Sequence, residues 1–290
     1  MQNVLAELVD QLALERIDRD LFRGRSQDLG WGAIFGGQVL GQALSAAAQT
    51  VDEDRPVHSL HAYFLRAGDV RRPIVYQVDR IRDGQSFCTR RVIAVQDGTP
   101  IFSLAASFQV EETGFDHQDP MPQVAGPDGL LSERELALKL GDHVPERLRP
   151  MATAIRPIEQ RPVKPRNPLA PKPQEPVRHI WMRAIDQLPH DQSLHRYLLA
   201  YASDFSLLGT SLDPHGVSWL TSGMHIASLD HAMWFHRPFR MDDWLLYDIQ
   251  SPSASGARGL VRGRFFDTQG RLVASVVQEG LIRLRTTPDR

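Results

Sequence analysis

The stretch Ser228-Leu-Asp-His-Ala-Met-Trp-Phe-His-Arg-Pro-Phe239 brings aromatic, histidine, hydroxyl and carboxylate side chains together in one short segment. A second stretch, His58-Ser-Leu-His-Ala-Tyr-Phe-Leu-Arg66, has the same outline. Four residues in and after the first stretch recur in and after the second at one constant spacing along the chain. Phe64, Arg66, Tyr76 and Arg91 correspond in this way to Phe235, Arg237, Tyr247 and Arg262. A repeat of this length indicates a duplicated unit.

Each copy of the repeat has the same predicted elements. Residues 60–109 and 230–279 both run as four strand candidates separated by polar turns. A helix candidate precedes the strands in each copy, at residues 37–48 in the first and at residues 194–204 in the second. One buried helix followed by an antiparallel sheet, occurring twice, predicts an α+β fold.

The segment between the two copies is rich in proline. Twelve of the 20 prolines fall between Pro120 and Pro176. Because proline lacks a backbone donor and restricts the residue before it, this composition predicts sparse regular structure, with one short helix around residues 132–140. We therefore expect an N-terminal unit at 1–115, a linker at 116–176, and a C-terminal unit at 177–290 that carries the catalytic residues.

Composition excludes several classes of protein. The 290 residues include 33 basic and 35 acidic side chains, for a net charge of −2, so no basic excess favours nucleic acid or an anionic membrane. No apolar run approaches the ~20 residues that span a bilayer. Cys88 is the only cysteine, which favours a reducing compartment. The start of the chain is no signal peptide and residues 286–290 are no peroxisomal address, so we expect a cytoplasmic protein.

Three polar residues stand out against apolar surroundings. Asp204 ends the second helix candidate, where burial would raise the pKa of a general base, although a solvent-facing helix terminus or cap is the commoner interpretation of such a residue taken alone. Ser228 fits a hydroxyl bonded to backbone. Gln278 is polar on a strand of valine and alanine, so it belongs to a network or faces outward. The first helix candidate has no carboxylate, which indicates one active site per pair of units.

Other catalytic motifs are absent from the sequence. No Gly-x-Ser-x-Gly elbow occurs, which disfavours a Ser-His-Asp hydrolase. The histidine pairs His58 with His61 and His231 with His236 lack a cysteine cluster or helical i, i+4 spacing, so we expect satisfied strand histidines and no metal or other cofactor. His58 keeps a substrate-side role as an alternative.

The chain resembles the acyl-CoA thioesterase II family. The motifs that carry the resemblance are 228–239 together with Phe35-Gly-Gly-Gln-Val39, His58 to Arg66, Ala200-Tyr-Ala-Ser-Asp204 and Val276-Val-Gln-Glu-Gly280. The resemblance implies a double hot-dog fold, in which each of two sheets wraps a helix and the sheets join edge to edge. It also implies hydrolysis of medium- to long-chain acyl-CoA by a water that Asp204, Ser228 and Gln278 hold, with serine where many relatives have threonine. Relatives associate further, so we expect a dimer or tetramer.

Two other functions stay open on the residues. A hot-dog enoyl-CoA hydratase or dehydratase needs a close Asp and His pair, yet no histidine follows Asp204 until His215. Asp230 and His231 are adjacent on a strand candidate, where neighbouring side chains point to opposite faces. The other alternative is a non-catalytic acyl-CoA-binding protein. Bulky residues are candidates to set acyl-chain length, namely Trp219, Trp234 and Phe235.

Overall fold

The computed structural model describes residues 3–285. The prediction about a peroxisomal address concerns residues 286–290, which lie outside the described residues. The helices are α1 Val4–Leu12, α2 Gly36–Ala48, α3 Glu133–Leu140, α4 Arg149–Thr153 and α5 Gln192–Ser203. The strands of the first half are β1 Glu15–Asp18, β2 Leu21–Gly24, β3 Val57–Phe64, β4 Ile74–Asp83, β5 Phe87–Gln96 and β6 Thr99–Gln109. The later strands are β7 Ile158–Pro162, β8 Val177–Ala184, β9 Met224–Ser228, β10 Asp230–Phe235, β11 Leu245–Ser255, β12 Arg258–Asp267 and β13 Leu272–Leu284.

One sheet of thirteen strands runs through both halves of the described chain. Its order is β1-β2-β4-β5-β6-β3-β10-β13-β12-β11-β8-β7, and β9 pairs with β13 beside this path. The four strands β4-β5-β6-β3 are mirrored by β11-β12-β13-β10, as the repeat predicts. The two sets meet where β3 pairs antiparallel with β10, with Leu60 opposite Met233 and Ala62 opposite His231. The sheets of the two units therefore join edge to edge, as a double hot-dog requires.

The two predicted central helices form and pack against each other. Most residues of α2 and α5 are buried, and the two helices contact each other along their length. Their closest approach lies at the start of α2. A Cβ on Gly37 would lie 2.2 Å from the backbone oxygen of Tyr201, so only glycine fits there.

The proline-rich segment crosses the surface and contacts both halves. The short helix predicted around residues 132–140 is α3, and Ser132 forms a capping box with Glu135 at its start. The segment also contains α4 and β7, and β7 pairs with β8 at the edge of the sheet. Hydrogen bonds join Gln118 to the backbone at Gly270 at 2.8 Å and Arg156 to the backbone oxygen of Leu29 at 2.8 Å. Among residues 3–285, no helix is long and apolar enough to cross a membrane.

Candidate active site

The three residues predicted from the sequence meet at one side-chain amide. Asp204 is the C-cap of α5, Ser228 ends β9, and Gln278 lies on the inner face of β13. The Gln278 Nε2 donates to Asp204 Oδ1 at 2.8 Å and lies 3.1 Å from Ser228 Oγ. Gln278 is therefore the member of a network, and the outward-facing alternative is wrong.

A break between β9 and β10 aims Ser228 at this amide. Ser228 pairs with Gly280 on β13, whereas Ala232 of β10 pairs with Val277 of the same strand. Between them the N–H of Leu229 donates to the oxygen of Glu279 at 3.0 Å, while its own oxygen accepts from the N–H of Phe64 at 2.9 Å. In an unbroken strand, side chains three positions apart point to opposite faces. Because the strand breaks here, Ser228 and His231 both reach Gln278.

Asp204 lies against the first turn of α2. A Cβ on Gly36 would lie 2.7 Å from Asp204 Oδ2, and the N–H of Gly37 donates a hydrogen bond to the carboxyl group. Although part of Asp204 reaches solvent, desolvation by the surrounding protein raises its pKa. The hydrogen bonds from Gln278 and Gly37 lower the pKa and only partly offset this effect. Asp204 is therefore the helix cap considered from the sequence, but its carboxyl group contacts Gly37 and Gln278 and is only partly open to solvent.

His231 belongs to the same network, and the sequence reasoning did not place it there. It is fully buried, its Nδ1 lies 3.2 Å from Gln278 Nε2, and its Nε2 lies 3.0 Å from Ser203 Oγ. Burial lowers the pKa of His231 to about 3, so the ring is neutral at physiological pH. The signal that could have found it is its place in the stretch 228–239, but alternation along an unbroken strand would place Ser228 and His231 on opposite faces.

The network runs inward from the surface. Asp204 and Ser228 are partly exposed, whereas Gln278, His231 and Ser203 have no exposed area. The Gln278 Oε1 is buried and accepts no hydrogen bond from the described residues. The site thus presents a carboxylate and a hydroxyl to a ligand, supported from below by polar groups in a tightly packed core.

Aromatic side chains line the approach to Asp204. The rings of Phe35 and Phe205 stack with centroids 4.4 Å apart, and Tyr201 meets Phe35 edge-on at 5.2 Å. The ring of Phe64 would lie 2.9 Å from a Cβ on Gly36. This cluster gives the site an apolar wall beside its carboxylate.

The other residues singled out in the sequence lie elsewhere. The Nε2 of His58 lies 2.8 Å from Ser107 Oγ, and His61 packs edge-on against Trp234 on the opposite face of β10 from His231. Trp219 is exposed at 48%, and Trp234 points away from the face of β10 that carries His231. Among residues 3–285, no group of three or more His, Cys, Asp or Glu side chains could hold a metal ion.

Protein-family models match both halves of the chain. The model described as acyl-CoA thioesterase matches residues 149–281, and the model described as acyl-CoA thioesterase N-terminal domain matches residues 25–109. Together the two matches include Asp204, Ser228 and Gln278 as well as the glycines at the start of α2.

Similar proteins match along nearly the whole chain. Acyl-CoA thioesterase 2 of Haemophilus influenzae is 44% identical over 98% of this chain and 99% of its own length. Acyl-coenzyme A thioesterase 8 of Homo sapiens is 45% identical over 98% of this chain and 91% of its own length. The crystal structure of an acyl-CoA thioesterase II from Mycobacterium marinum superposes with a TM-score of 0.78, at 42% identity, over 99% of both chains. A hot-dog protein from Alicyclobacillus acidocaldarius, at 18% identity, has the same fold with a TM-score of 0.78.

Proposed function

Because this chain belongs to the acyl-CoA thioesterase II family and is a thioester hydrolase, we propose that Asp204, Ser228 and Gln278 activate the water that cleaves acyl-CoA. The observation that carries the proposal is the Gln278 amide, which lies within hydrogen-bonding distance of Asp204 Oδ1 and Ser228 Oγ. A general base and a hydroxyl fixed relative to each other are what an attacking water requires.

Asp204 acts as the general base in this mechanism. It takes a proton from the water as the water oxygen attacks the thioester carbonyl carbon. The tetrahedral intermediate then collapses, the C–S bond breaks, and the proton held by Asp204 passes to the departing CoA sulfur. The raised pKa of Asp204 suits this role, since a stronger base removes the proton more readily.

Ser228 and Gln278 orient the water and the base. Ser228 Oγ accepts or donates a hydrogen bond to the water, and the Gln278 Nε2 holds Asp204 in position. The buried Gln278 Oε1, with no donor among the described residues, is a further acceptor near the site. Removal of either side chain keeps the carboxylate but positions it or the water less well, so we expect a slower reaction with partial activity.

The start of α2 supplies the electrostatic stabilisation of the oxyanion. The first-turn N–H groups of a helix carry partial positive charge and have no partners within the helix. Gly36 and Gly37 bring this end of α2 against Asp204, so the carbonyl oxygen of a thioester attacked beside Asp204 lies near the positive end of the helix, although the Gly37 N–H itself already donates to the carboxyl group. An amide N–H aimed at a developing oxyanion stabilises the transition state more than the ground state.

The apolar wall beside Asp204 favours a medium- to long-chain acyl group. Phe205 is partly exposed and stacks on the buried Phe35, and each methylene that leaves water against such a surface contributes about 0.8 kcal/mol. A short acyl chain leaves this surface unused, so kcat/KM is expected to rise with chain length until the available apolar surface is filled.

Thiol release from a series of acyl-CoA esters, C4 to C18, tests the proposal. We expect the wild-type protein to release CoA, with higher kcat/KM above C8 than at C4. The Asp204→Asn variant keeps the shape of the side chain but cannot take a proton, so its kcat should fall by about 10²- to 10⁴-fold.

Two results would count against the proposal. If Asp204→Asn kept the wild-type kcat, the protein would still be a thioester hydrolase, but a group other than Asp204 would be its general base. A kcat/KM that falls steadily from C4 to C18 would show that the aromatic wall does not bind the acyl chain.

A further inference from the structure

We propose that His231 is a positioning residue of this active site, which fixes the orientation of the Gln278 amide by accepting a hydrogen bond from its Nε2. The proposal rests on the proposed function above, since it concerns Gln278, the residue whose amide holds Asp204 in position. His231 itself lies beneath the site, with no exposed area.

The hydrogen-bond partners determine the tautomer of His231. The single hydrogen of Ser203 Oγ goes to the backbone oxygen of Ala200 at 2.8 Å. Ser203 Oγ must therefore accept at its 3.0 Å contact with His231, which places the ring hydrogen on Nε2. The neutral ring then has a lone pair on Nδ1, which faces the Gln278 Nε2 at 3.2 Å.

This lone pair decides which way the Gln278 amide lies. With an acceptor at His231 Nδ1, the amide nitrogen must point toward the ring, and the same nitrogen then donates to Asp204. The opposite orientation would place Oε1 against the ring lone pair and against the Asp204 carboxylate, so two repulsive contacts would replace two hydrogen bonds. A chain of hydrogen bonds thus runs from the Ala200 carbonyl through Ser203 and His231 to Gln278. Because each donor in it is determined, the chain fixes the orientation of the Gln278 amide.

The duplicated unit provides an internal comparison. In the first unit, Leu60 of β3 takes the position that His231 of β10 has in the second. The pairing of these two strands is symmetric, since Leu60 lies opposite Met233 and Ala62 lies opposite His231. Leu60 pairs across the sheet with Ala106 of β6, and both are buried. The fold therefore accepts an apolar pair at this place. The polar pair His231 and Gln278 occurs in the unit that carries Asp204, which argues that it serves the site and not the packing.

His231 does not act as an acid or base in this arrangement. Both ring nitrogens already have partners, and burial keeps the ring neutral. Its effect on the reaction therefore passes through Gln278, and this distinguishes a positioning residue from a general base.

A double-mutant cycle on thiol release tests the inference. The variants are His231→Leu, Gln278→Ala and the two combined, which reproduces the pair Leu60 and Ala106 of the first unit and is expected to fold. We expect His231→Leu to lower kcat by about 10- to 100-fold with little change in KM, since a mispositioned group costs rate more than binding. In the Gln278→Ala background, the same substitution should change kcat less than about twofold, because the group that it positions is gone.

Two further variants separate positioning from packing. His231→Asn places an oxygen where Nδ1 lies, so it should recover most of the kcat that His231→Leu loses. Met233→Leu changes a buried neighbour on the same face of β10 and should leave kcat unchanged. Thermal unfolding of each variant shows the folded fraction to which kcat is normalised.

The possible outcomes separate this inference from the proposed function. Wild-type kcat in His231→Leu, equal losses in His231→Leu and His231→Asn, or an additive double mutant would overturn the role of His231. The Asp204→Asn variant, measured in parallel, tests the mechanism itself. If it keeps the wild-type kcat, the proposed function is contradicted, whatever the result for His231.

Discussion

At the scale of single residues, the site depends on the environment of one carboxyl group. Desolvation raises the pKa of Asp204, which means that the folded state binds its proton more tightly than the unfolded chain does. The ionised form that catalysis needs therefore destabilises the fold, and this cost grows as the pH rises above the normal aspartate pKa up to the raised one. Gln278 and Gly37 reduce this cost by donating hydrogen bonds to the carboxyl group.

The sequence could single out part of this site but not all of it. Asp204, Ser228 and Gln278 are polar residues in apolar surroundings, and the structure brings the three together. The sequence predicts His231 only as a strand histidine with satisfied partners, because alternation along an unbroken strand places Ser228 and His231 on opposite faces. The break at Leu229 depends on pairing with both Glu279 and Phe64, and such long-range backbone contacts are not visible in a single sequence.

At the scale of elements, the junction of α2 and α5 sets the position of the catalytic carboxylate. Gly36 approaches Asp204 and Gly37 approaches the backbone of Tyr201, so the start of one helix lies against the end of the other. The sequence predicted both helices from small and apolar residues. It could not show that the two glycines belong to this contact, because the helices lie more than a hundred residues apart in the chain.

The glycines at this junction should be intolerant of a methyl group. In Gly37→Ala the new Cβ would lie 2.2 Å from the oxygen of Tyr201, and since backbone must move, we expect a loss of about 1–3 kcal/mol of unfolding free energy. Gly36→Ala would displace Asp204 Oδ2 and should lower kcat more than stability. Gly114→Ala is the matched control, because its Cβ would meet no atom within 4 Å.

Chemical denaturation and thiol release measure the two effects. Gly114→Ala should stay within about 0.5 kcal/mol of the wild type, as expected for a change at an unconstrained surface position. A Gly37→Ala variant as stable as Gly114→Ala would show that α2 and α5 do not approach as closely as described.

At the scale of the whole molecule, duplication explains why one chain holds one proposed site. The repeat could be recognised from the constant offset between residues such as Phe64 and Phe235, and the strand order confirms its mirrored arrangement. We propose that residues 1–115 and 177–290 act as interdependent units joined by 116–176. Asp204, Ser228 and Gln278 come from the second unit, while the helix start that faces Asp204 comes from the first.

A split chain tests this interdependence. Cleaving the coding sequence after Gly114, next to the fully exposed Phe115, leaves every strand and helix intact. We expect the two co-expressed pieces to copurify and to hydrolyse acyl-CoA, because β3 and β10 pair and α2 packs on α5. The second piece alone should release no thiol, and activity from it alone would contradict the assignment of α2 to the site.

The dependence of kcat on pH, measured for the wild type and for Asp204→Asn, tests the central claim most directly. A general base works when deprotonated, so wild-type kcat should fall as the pH drops through the pKa of Asp204, at a midpoint above the usual aspartate range. The nearby His231 and Tyr247 should not interfere, because burial lowers the pKa of the first to about 3 and raises that of the second well above 10. Asp204→Asn should be slower by about 10²- to 10⁴-fold and should lack this acidic limb. An Asp204→Asn variant that keeps both the rate and the limb would contradict the account.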